Sequence, residues 1–126
     1  MENNEKISLL IVDDEIDFLD TISLRMEMRG FGVTKAPDGT RALELGSAMK
    51  FDVVILDLKM PGIDGQEVLE KIKKINKDTE VIIFTAHGSE DVAERTLEEG
   101  AFCFITKPID IDKLVSIIDL ALDAKK

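Results

Sequence analysis

The sequence predicts an α/β fold, a doubly wound five-stranded parallel sheet with helices on both faces. Three observations lead to this prediction. Short apolar runs alternate with segments whose apolar residues recur at helical spacing. The runs are largely apolar throughout, as in central strands that are covered on both sides. Capping residues mark the boundaries between runs and segments, as expected for repeated strand–helix units.

Five runs are predicted to be strands, and they comprise residues 7–12, 32–36, 53–56, 81–84 and 102–105. The second run is more polar than the others, and Lys35 within it suits an exposed edge. Crossovers between parallel strands are right-handed. The expected strand order is therefore 2-1-3-4-5, with strands 1 and 3 beside the point where the order reverses.

Apolar stripes between the strands predict the helices, each covering one face of the sheet. The stripes are Ile16, Leu19, Ile22 and Met26; Ala42, Leu43, Gly46 and Met49; Val68, Leu69, Ile72 and Ile75; and Leu114, Ile117, Ile118 and Ala121. Asp38, Asp64 and Ser89 are predicted helix N-caps, the last for a fourth helix. Gly30 and Gly100 are expected to follow helix ends.

Polar residues follow four of the strands at the point where each strand ends. Asp13 and Asp14 follow the first strand, Asp57 the third and Thr85 the fourth, and Lys107 comes after the fifth. The carboxyl ends of parallel strands meet at one edge of the sheet, where open α/β sheets bind ligands. The five side chains are therefore expected to converge in one site.

The chemistry of this set points to a divalent cation and a phosphoryl group. Three neighbouring carboxylates repel one another by roughly 1 to 4 kcal/mol per pair at about 4 Å, and Mg²⁺, which prefers oxygen ligands, would relieve the repulsion. Asp57 could attack phosphorus and form an acyl phosphate. Each residue also has an ordinary structural interpretation, such as a helix-start acidic pair for Asp13 and Asp14. Their shared position at successive strand ends favours the functional one.

Composition excludes several classes of protein. The chain has 126 residues and a net charge of −10, which argues against direct binding to nucleic acid. No apolar stretch approaches the roughly 20 residues that cross a bilayer, and residues 1–6 do not begin a signal peptide, so a cytoplasmic protein is expected. The single cysteine, Cys103, cannot form an internal disulfide and is interpreted as a small buried apolar residue.

The chain resembles the receiver domain of two-component response regulators, CheY-like proteins with a flavodoxin-like fold. The resemblance runs from Ile7 to about Leu122. It rests on the motifs Val12-Asp13-Asp14-Glu15, Asp57-Leu58-Lys59-Met60-Pro61-Gly62-Ile63-Asp64-Gly65, Thr85-Ala86 and Lys107-Pro108. It implies one receiver domain over residues 1–126, with no output domain in this sequence.

The resemblance also implies how the acceptor and the metal ligands are arranged. Asp57 would accept a phosphoryl group from a phosphohistidine on a sensor histidine kinase or phosphotransfer protein. Asp14, Asp57 and the main-chain carbonyl of Lys59 would ligate Mg²⁺, and Asp13 would help through water. Only slow self-phosphorylation and self-dephosphorylation are implied, so the chain is expected to be a phosphoacceptor rather than an enzyme.

The remaining motif residues are implied to form a clamp and a switch. Thr85 and Lys107 would hold the phosphoryl oxygens, and the Lys107–Pro108 bond would be cis. Thr85 would move toward the phosphoryl group and Phe104 would turn inward, which would remodel the surface of the fourth helix, fifth strand and fifth helix. That surface would control an output domain or partner, and a homodimer could form through it. Tyr is common where this chain has Phe104, so here the two states would differ by packing alone.

The fifth strand and the loop after the fourth strand leave two points open. Phe102-Cys103-Phe104 lacks the acidic residues often seen in regulators that dimerise through salt bridges on this face, which argues against such an ionic dimer. If the fifth strand is the outer strand, its apolar character predicts a covered or partner-binding edge. His87, with Lys59, could tune the access of hydrolytic water, or it could be a loop histidine without a role.

Three other functions are alternatives to the phosphoacceptor. A phosphohydrolase of the haloacid dehalogenase type needs a second Asp two positions after the nucleophile, where this chain has Lys59. A flavodoxin-like electron carrier needs a first loop that binds an anionic flavin phosphate, which Asp13 and Asp14 would repel. A receiver fold that acts as a constitutive interaction module remains the main alternative, because Phe104 departs from the usual switch residue.

Overall fold

The computed structural model of the chain describes residues 6–86 and 88–124, along which strands and helices alternate. The strands are β1 (Ser8–Val12), β2 (Gly32–Ala36), β3 (Val53–Leu56), β4 (Glu80–Thr85) and β5 (Cys103–Thr106). The helices are α1 (Ile16–Met28), α2 (Gly39–Ala48), α3 (Gly65–Ile75), α4 (Glu90–Glu98) and α5 (Ile111–Ala124).

The strands form one parallel sheet in the order β2-β1-β3-β4-β5, which confirms the predicted topology. Val12 lies opposite Ala36 on one side and Leu56 on the other, so β1, β2 and β3 end at the same level. β2 and β3 have the predicted bounds, whereas β5 begins and ends one residue later than predicted. The carboxyl ends of the strands therefore form a single edge.

Helices cover both faces of the sheet because successive strand residues point to opposite sides. Leu9 and Ile11 belong to a core cluster with residues of α1 and α5, whereas Leu10 and Val12 belong to a second cluster with residues of α2 and α3. Val92 of α4 packs against the second cluster. The sheet is doubly wound, as predicted.

The predicted helix signals are confirmed at both ends of the helices. The carboxylates of Asp38 and Asp64 accept hydrogen bonds from main-chain N–H groups of α2 and α3, and the Ser89 hydroxyl does so for α4. Gly30 and Gly100 follow α1 and α4 with φ values of 94° and 108°, a left-handed conformation that glycine adopts without strain.

Three members of the predicted apolar stripes are exposed instead of buried. Ile16 is 51% exposed, and Met49 and Ile75 are each 46% exposed. Ile16 begins α1, Met49 follows α2 and Ile75 ends α3. The helix ends reach past the short strands, so helical periodicity continues in the sequence where the sheet has no surface left to cover.

The two outer strands differ in how they meet solvent. In β2, the exposed Lys35 forms an ion pair of 2.9 Å with Asp20, as suits the predicted edge strand. In β5, Cys103 is half-buried against the cluster of α1 and α5, and burial raises the pKa of its thiol to about 11. A thiol held protonated in this way agrees with the prediction of an apolar packing role. Across the described residues, none of the helices combines the length and apolar character needed to span a membrane.

Candidate phosphoryl-transfer site

Main-chain hydrogen bonds at the ends of β1 and β3 place Asp13 and Asp57 side by side. The N–H of Asp13 donates to the carbonyl of Ala36 at 3.1 Å, and the N–H of Asp57 donates to the carbonyl of Val12 at 3.0 Å. Each aspartate thus continues the ladder by one residue beyond its strand. Their position follows from the parallel register alone.

Three carboxylates come together at this edge. One carboxylate oxygen from each of Asp13, Asp14 and Asp57 lies within 4.8 Å of the others. Asp13 and Asp57 are buried, at 2% and 4% exposure, whereas Asp14 is exposed. Within the described part of the chain, the Asp14 carboxylate has no hydrogen bond or ion pair, so its oxygens remain available to a cation.

The surroundings of Asp13 have opposing effects on the pKa of its carboxyl group. Burial raises its pKa, while the ammonium of Lys107 and the N–H of Glu15, which donates to Oδ1 at 2.9 Å, act in the other direction. The neighbouring charge of Asp57 also raises the pKa. The cluster is therefore a site where negative charge is desolvated and only partly compensated.

Lys107 supplies the compensating charge. Its Nζ lies 2.5 Å from Oδ2 of Asp13, 3.7 Å from Oδ2 of Asp57 and 3.8 Å from Oε1 of Glu15. The Lys107 side chain is 10% exposed, so these interactions are screened less than those of a surface pair. The ammonium thus joins two of the clustered carboxylates.

Thr85 and Lys107 are tied to each other through the backbone. Thr85 is fully buried at the end of β4, where it pairs with Thr106 of β5. The N–H of Lys107 donates to the carbonyl of Thr85 at 2.9 Å. The Lys107–Pro108 peptide bond is cis, as the resemblance implied. All five strand-end residues predicted from the sequence thus lie at this edge of the sheet.

The segment after β3 brings a further main-chain group to the site. The N–H of Lys59 lies 3.4 Å from Oδ1 of Asp57, a long hydrogen bond that places this segment beside the carboxylate, and the Lys59 side chain is exposed. Gly65 allows α3 to start directly against this segment, because a Cβ there would lie 2.6 Å from the carbonyl oxygen of Asp57. His87, which the sequence suggested as a tuning residue, lies outside the described residues.

Phe104 packs toward the face of α2, α3 and α4, where it is half-buried against the core cluster. Its ring lies against Gly88 in the segment between β4 and α4, since a Cβ at position 88 would lie 2.6 Å from Cε1 of Phe104. Nothing in the sequence marked Gly88 as a contact of Phe104. The contact becomes visible only when β5 and this segment are placed together.

Three side chains around Lys107 were not predicted as its neighbours. Glu15 lies near the ammonium, and the rings of Phe18 and Phe84 lie beside it, with centroids 4.1 Å and 5.7 Å from Nζ. Phe18 lies in the first turn of α1 but outside the apolar stripe predicted for that helix, so periodicity did not point to it. The chain gave no local signal for Phe84, which the sequence presents as an ordinary strand residue.

The donor set fits a hard divalent cation. Carboxylates are the oxygen ligands that Mg²⁺ takes in proteins, usually one or two together with waters and a phosphoryl oxygen. The exposed Asp14 offers an open approach, while the buried Asp57 would place a phosphoryl group next to the ion. The arrangement can therefore hold a cation and present a carboxylate nucleophile at the same edge.

Comparison with known proteins identifies the family. The model of the response regulator receiver domain matches residues 9–119. The chain is 36% identical over 122 residues to sporulation initiation phosphotransferase F of Bacillus subtilis (strain 168), covering 97% of both proteins. It is 40% identical over 115 residues to transcriptional regulatory protein GlrR of Escherichia coli (strain K12), covering 91% of this chain but 26% of that protein.

A solved structure agrees with the sequence matches. A CheY-like response regulator receiver domain protein from Methanospirillum hungatei JF-1 superposes with a TM-score of 0.93 at 29% identity, covering 96% of this chain and 97% of that one. Receiver domains take a phosphoryl group on an aspartate and bind Mg²⁺ at an acidic pocket. The matched residues, the strand order and the acidic strand-end cluster lead to one conclusion: this chain belongs to the response regulator receiver domain family of two-component systems.

Proposed function

We propose that Asp57 is the phosphoacceptor of this chain and receives its phosphoryl group from a phosphohistidine. The observation that carries the proposal is the convergence of Asp57 with two more carboxylates and the buried ammonium of Lys107. A sensor histidine kinase or a phosphotransfer protein in the cytoplasm is the proposed donor. Histidine kinases are partners of response regulators in general.

In the proposed reaction, a carboxylate oxygen of Asp57 forms a bond to phosphorus while the bond from phosphorus to the imidazole nitrogen breaks. The nitrogen takes the electron pair, and the product is an acyl phosphate. Lys107, 3.7 Å from Oδ2 of Asp57, would pair with the new phosphoryl oxygens, and the Thr85 hydroxyl would donate to them.

Mg²⁺ would neutralise negative charge on the carboxylates and the incoming phosphoryl group. Asp14, Asp57 and the main-chain carbonyl of Lys59 are the proposed direct ligands, and Asp13 would act through water. The exposed Asp14 and the closeness of the Lys59 N–H to Asp57 support this set. Slow self-phosphorylation and self-dephosphorylation are expected, with Lys59 and His87 as proposed modulators of hydrolysis.

The proposed output surface comprises α4, β5 and α5. Leu97 of α4 and Leu120 of α5 are exposed there, at 46% and 59%, and Phe104 lies between the two helices in the sequence. A partner, an output domain or a second copy of the chain would bind this surface. We propose that residues 1–126 form one receiver domain. The chain spans about a quarter of the length of GlrR, so control of an output domain or partner is also a proposal.

The test is to incubate the protein with acetyl phosphate and MgCl₂ and to measure intact mass. One phosphoryl adduct is expected on the wild type and on Asp119→Asn, a control that removes an exposed carboxylate of α5. No adduct is expected on Asp57→Asn or when EDTA replaces MgCl₂. An unmodified wild type, or an equal adduct on Asp57→Asn, overturns the assignment.

A constitutive interaction module is the second candidate, and the packing of Phe104 against Gly88 favours it. A ring already seated on this segment could remain there in both states. Two-dimensional NMR of the same phosphorylated sample separates the candidates. Shifted resonances of Phe104 and of the α4, β5 and α5 surface support switching, whereas changes confined to the strand-end site support a constitutive module.

A further inference from the structure

Lys107 has an aromatic neighbourhood as well as an anionic one. Its Nζ lies 4.1 Å from the ring centroid of Phe18 and 5.7 Å from that of Phe84, both within the range of a cation–π interaction. The same ammonium contacts Asp13 and approaches Asp57. Carboxylates and aromatic rings therefore contact the same ammonium, that of the largely buried Lys107 side chain.

The two rings support each other. Their centroids are 5.9 Å apart and their planes are inclined by 62°, an edge-to-face arrangement. Phe84 is buried in β4, directly before Thr85, so the sheet fixes its position. Phe18 in α1 is only half-buried and borders an open groove of about 450 Å³ between α1 and the segment after β5. The buried Phe84 thus packs against the more exposed Phe18.

A phosphoryl group on Asp57 would compete with Asp13 for the ammonium of Lys107. As the ammonium pairs with the phosphoryl oxygens, its close contact with Asp13 would weaken. An aromatic ring carries no net charge, so its contact with the ammonium does not compete with the phosphoryl oxygens for that ammonium. It can therefore hold the ammonium in place in both arrangements.

We infer that Phe18 is a positioning residue for phosphoryl transfer and that it acts through Lys107. The inference rests on the proposed function. The Phe18 ring, braced by Phe84, keeps the Lys107 ammonium within reach of Asp57 when its ion pair with Asp13 loosens. A preoriented cation stabilises the charge of the transferring group without first having to be ordered.

A double-mutant cycle tests the inference. Phe18→Leu should reduce the rate of adduct formation from acetyl phosphate by about three- to thirtyfold, the range that cation–π interactions span. Phe18→Tyr should retain most of the rate, because it keeps the aromatic face and has open space beside it. In a Lys107→Ala background, Phe18→Leu should have no further effect. A wild-type rate for Phe18→Leu, or an equal loss in that background, overturns the inference.

Two more measurements separate a positioning role from loss of packing and from failure of the proposed function. Phe31→Leu makes the same chemical change in the same core cluster, at the far end of the sheet, and should leave the rate unchanged. NMR should show Lys107 side-chain protons shifted upfield by the ring in the wild type and in Phe18→Tyr but not in Phe18→Leu. This readout needs no phosphorylation, and an unshifted Lys107 in the wild type overturns the inference.

Discussion

At the scale of single residues, Asp13 and Glu99 are carboxyl groups whose pKa the fold raises, and burial is the main cause in both. Asp13 has Lys107 as a close counter-charge. Glu99, at the end of α4, instead has the negative charge of Glu70 nearby, which raises its pKa further, with Arg95 opposing. Among the described residues, Oε1 of Glu99 is buried without a hydrogen-bond partner. The charged form of Glu99 therefore destabilises the folded state.

Glu99→Gln should therefore stabilise the protein at neutral pH. The folded pKa of Glu99 is higher than its ordinary value of 4.5, so folding disfavours the charged form, and the cost is complete above the folded pKa. The cost disappears as pH falls below the unfolded pKa. In urea denaturation, the gain in unfolding free energy should be largest at pH 7 and should shrink toward pH 4.

Glu98→Gln is the control, because Glu98 is the exposed neighbour of Glu99 in the chain. It should change stability little at either pH. The same gain for Glu99→Gln at pH 7 and at pH 4 would show that the charge of the carboxylate is not the cause.

The residues of the site divide according to what determines their position. Asp13 and Asp57 are predictable because the parallel register fixes where each strand ends. The contact of Phe18 with Lys107 depends on the rotation of α1 and on side-chain conformation, which the sequence does not specify. A pattern of residue types therefore identifies the reacting groups better than the groups that orient them.

At the scale of elements, the start of α3 is packed against the segment that carries Asp57. A Cβ at Gly65 would lie 2.5 Å from Cα of Leu58, and Gly65 donates its N–H to the carbonyl of Leu58 at 3.0 Å. Cα of Leu58 and the carbonyl oxygen of Asp57, the two atoms that this Cβ would meet first, belong to the backbone and cannot rotate away as a side chain can. The glycine thus sets the distance between α3 and the acceptor.

Gly65→Ala should destabilise the protein by about 1–3 kcal/mol, as overpacking does, and should also slow phosphorylation of Asp57. Gly46→Ala is the matched control. A Cβ in the interior of α2 meets only Cγ1 of Ile72, at 3.9 Å, so alanine should stabilise the helix by about 0.5–1 kcal/mol. Denaturant unfolding and the mass assay measure both effects. Changes of the same sign in the two variants would contradict the packing argument.

Prediction of the elements succeeded where two signals agreed. The N-cap Asp64 and the apolar stripe together located α3, and the apolar run of β3 was bounded on both sides by polar residues. Ile16 was misplaced because periodicity alone does not reveal where the sheet surface ends. The shift of β5 by one residue has a related cause, since an outer strand is less completely buried than a central one.

At the scale of the whole molecule, negative charge opposes the folded state of the chain. The net charge is −10, and three carboxylates gather at one edge. A cation that binds only the folded form stabilises the entire cooperative unit by mass action, by about 2.7 kcal/mol at a concentration 100 times its Kd. Cation binding at the carboxylate cluster can therefore be measured as an increase in the free energy of unfolding of the whole chain.

Adding saturating MgCl₂ in place of EDTA should raise the Tm of the wild type. Asp14→Asn should show a much smaller rise, because a proposed direct ligand is lost, and its Tm in EDTA should be at least that of the wild type, because repulsion among the carboxylates is relieved. Thermal unfolding followed by circular dichroism measures both. Asp17→Asn, which removes an exposed carboxylate of α1, should keep the full rise, and a full rise for Asp14→Asn would remove Asp14 from the metal site.

The contact between Phe104 and Gly88 has a consequence for how the chain can vary. A side chain at position 88 would occupy the space that the aromatic ring now fills. The two positions therefore draw on one shared volume, so neither can be changed freely on its own. In a library randomised at both positions, folded variants with larger residues at 88 should have smaller residues at 104. Such joint variation would show that the two positions fill the same space.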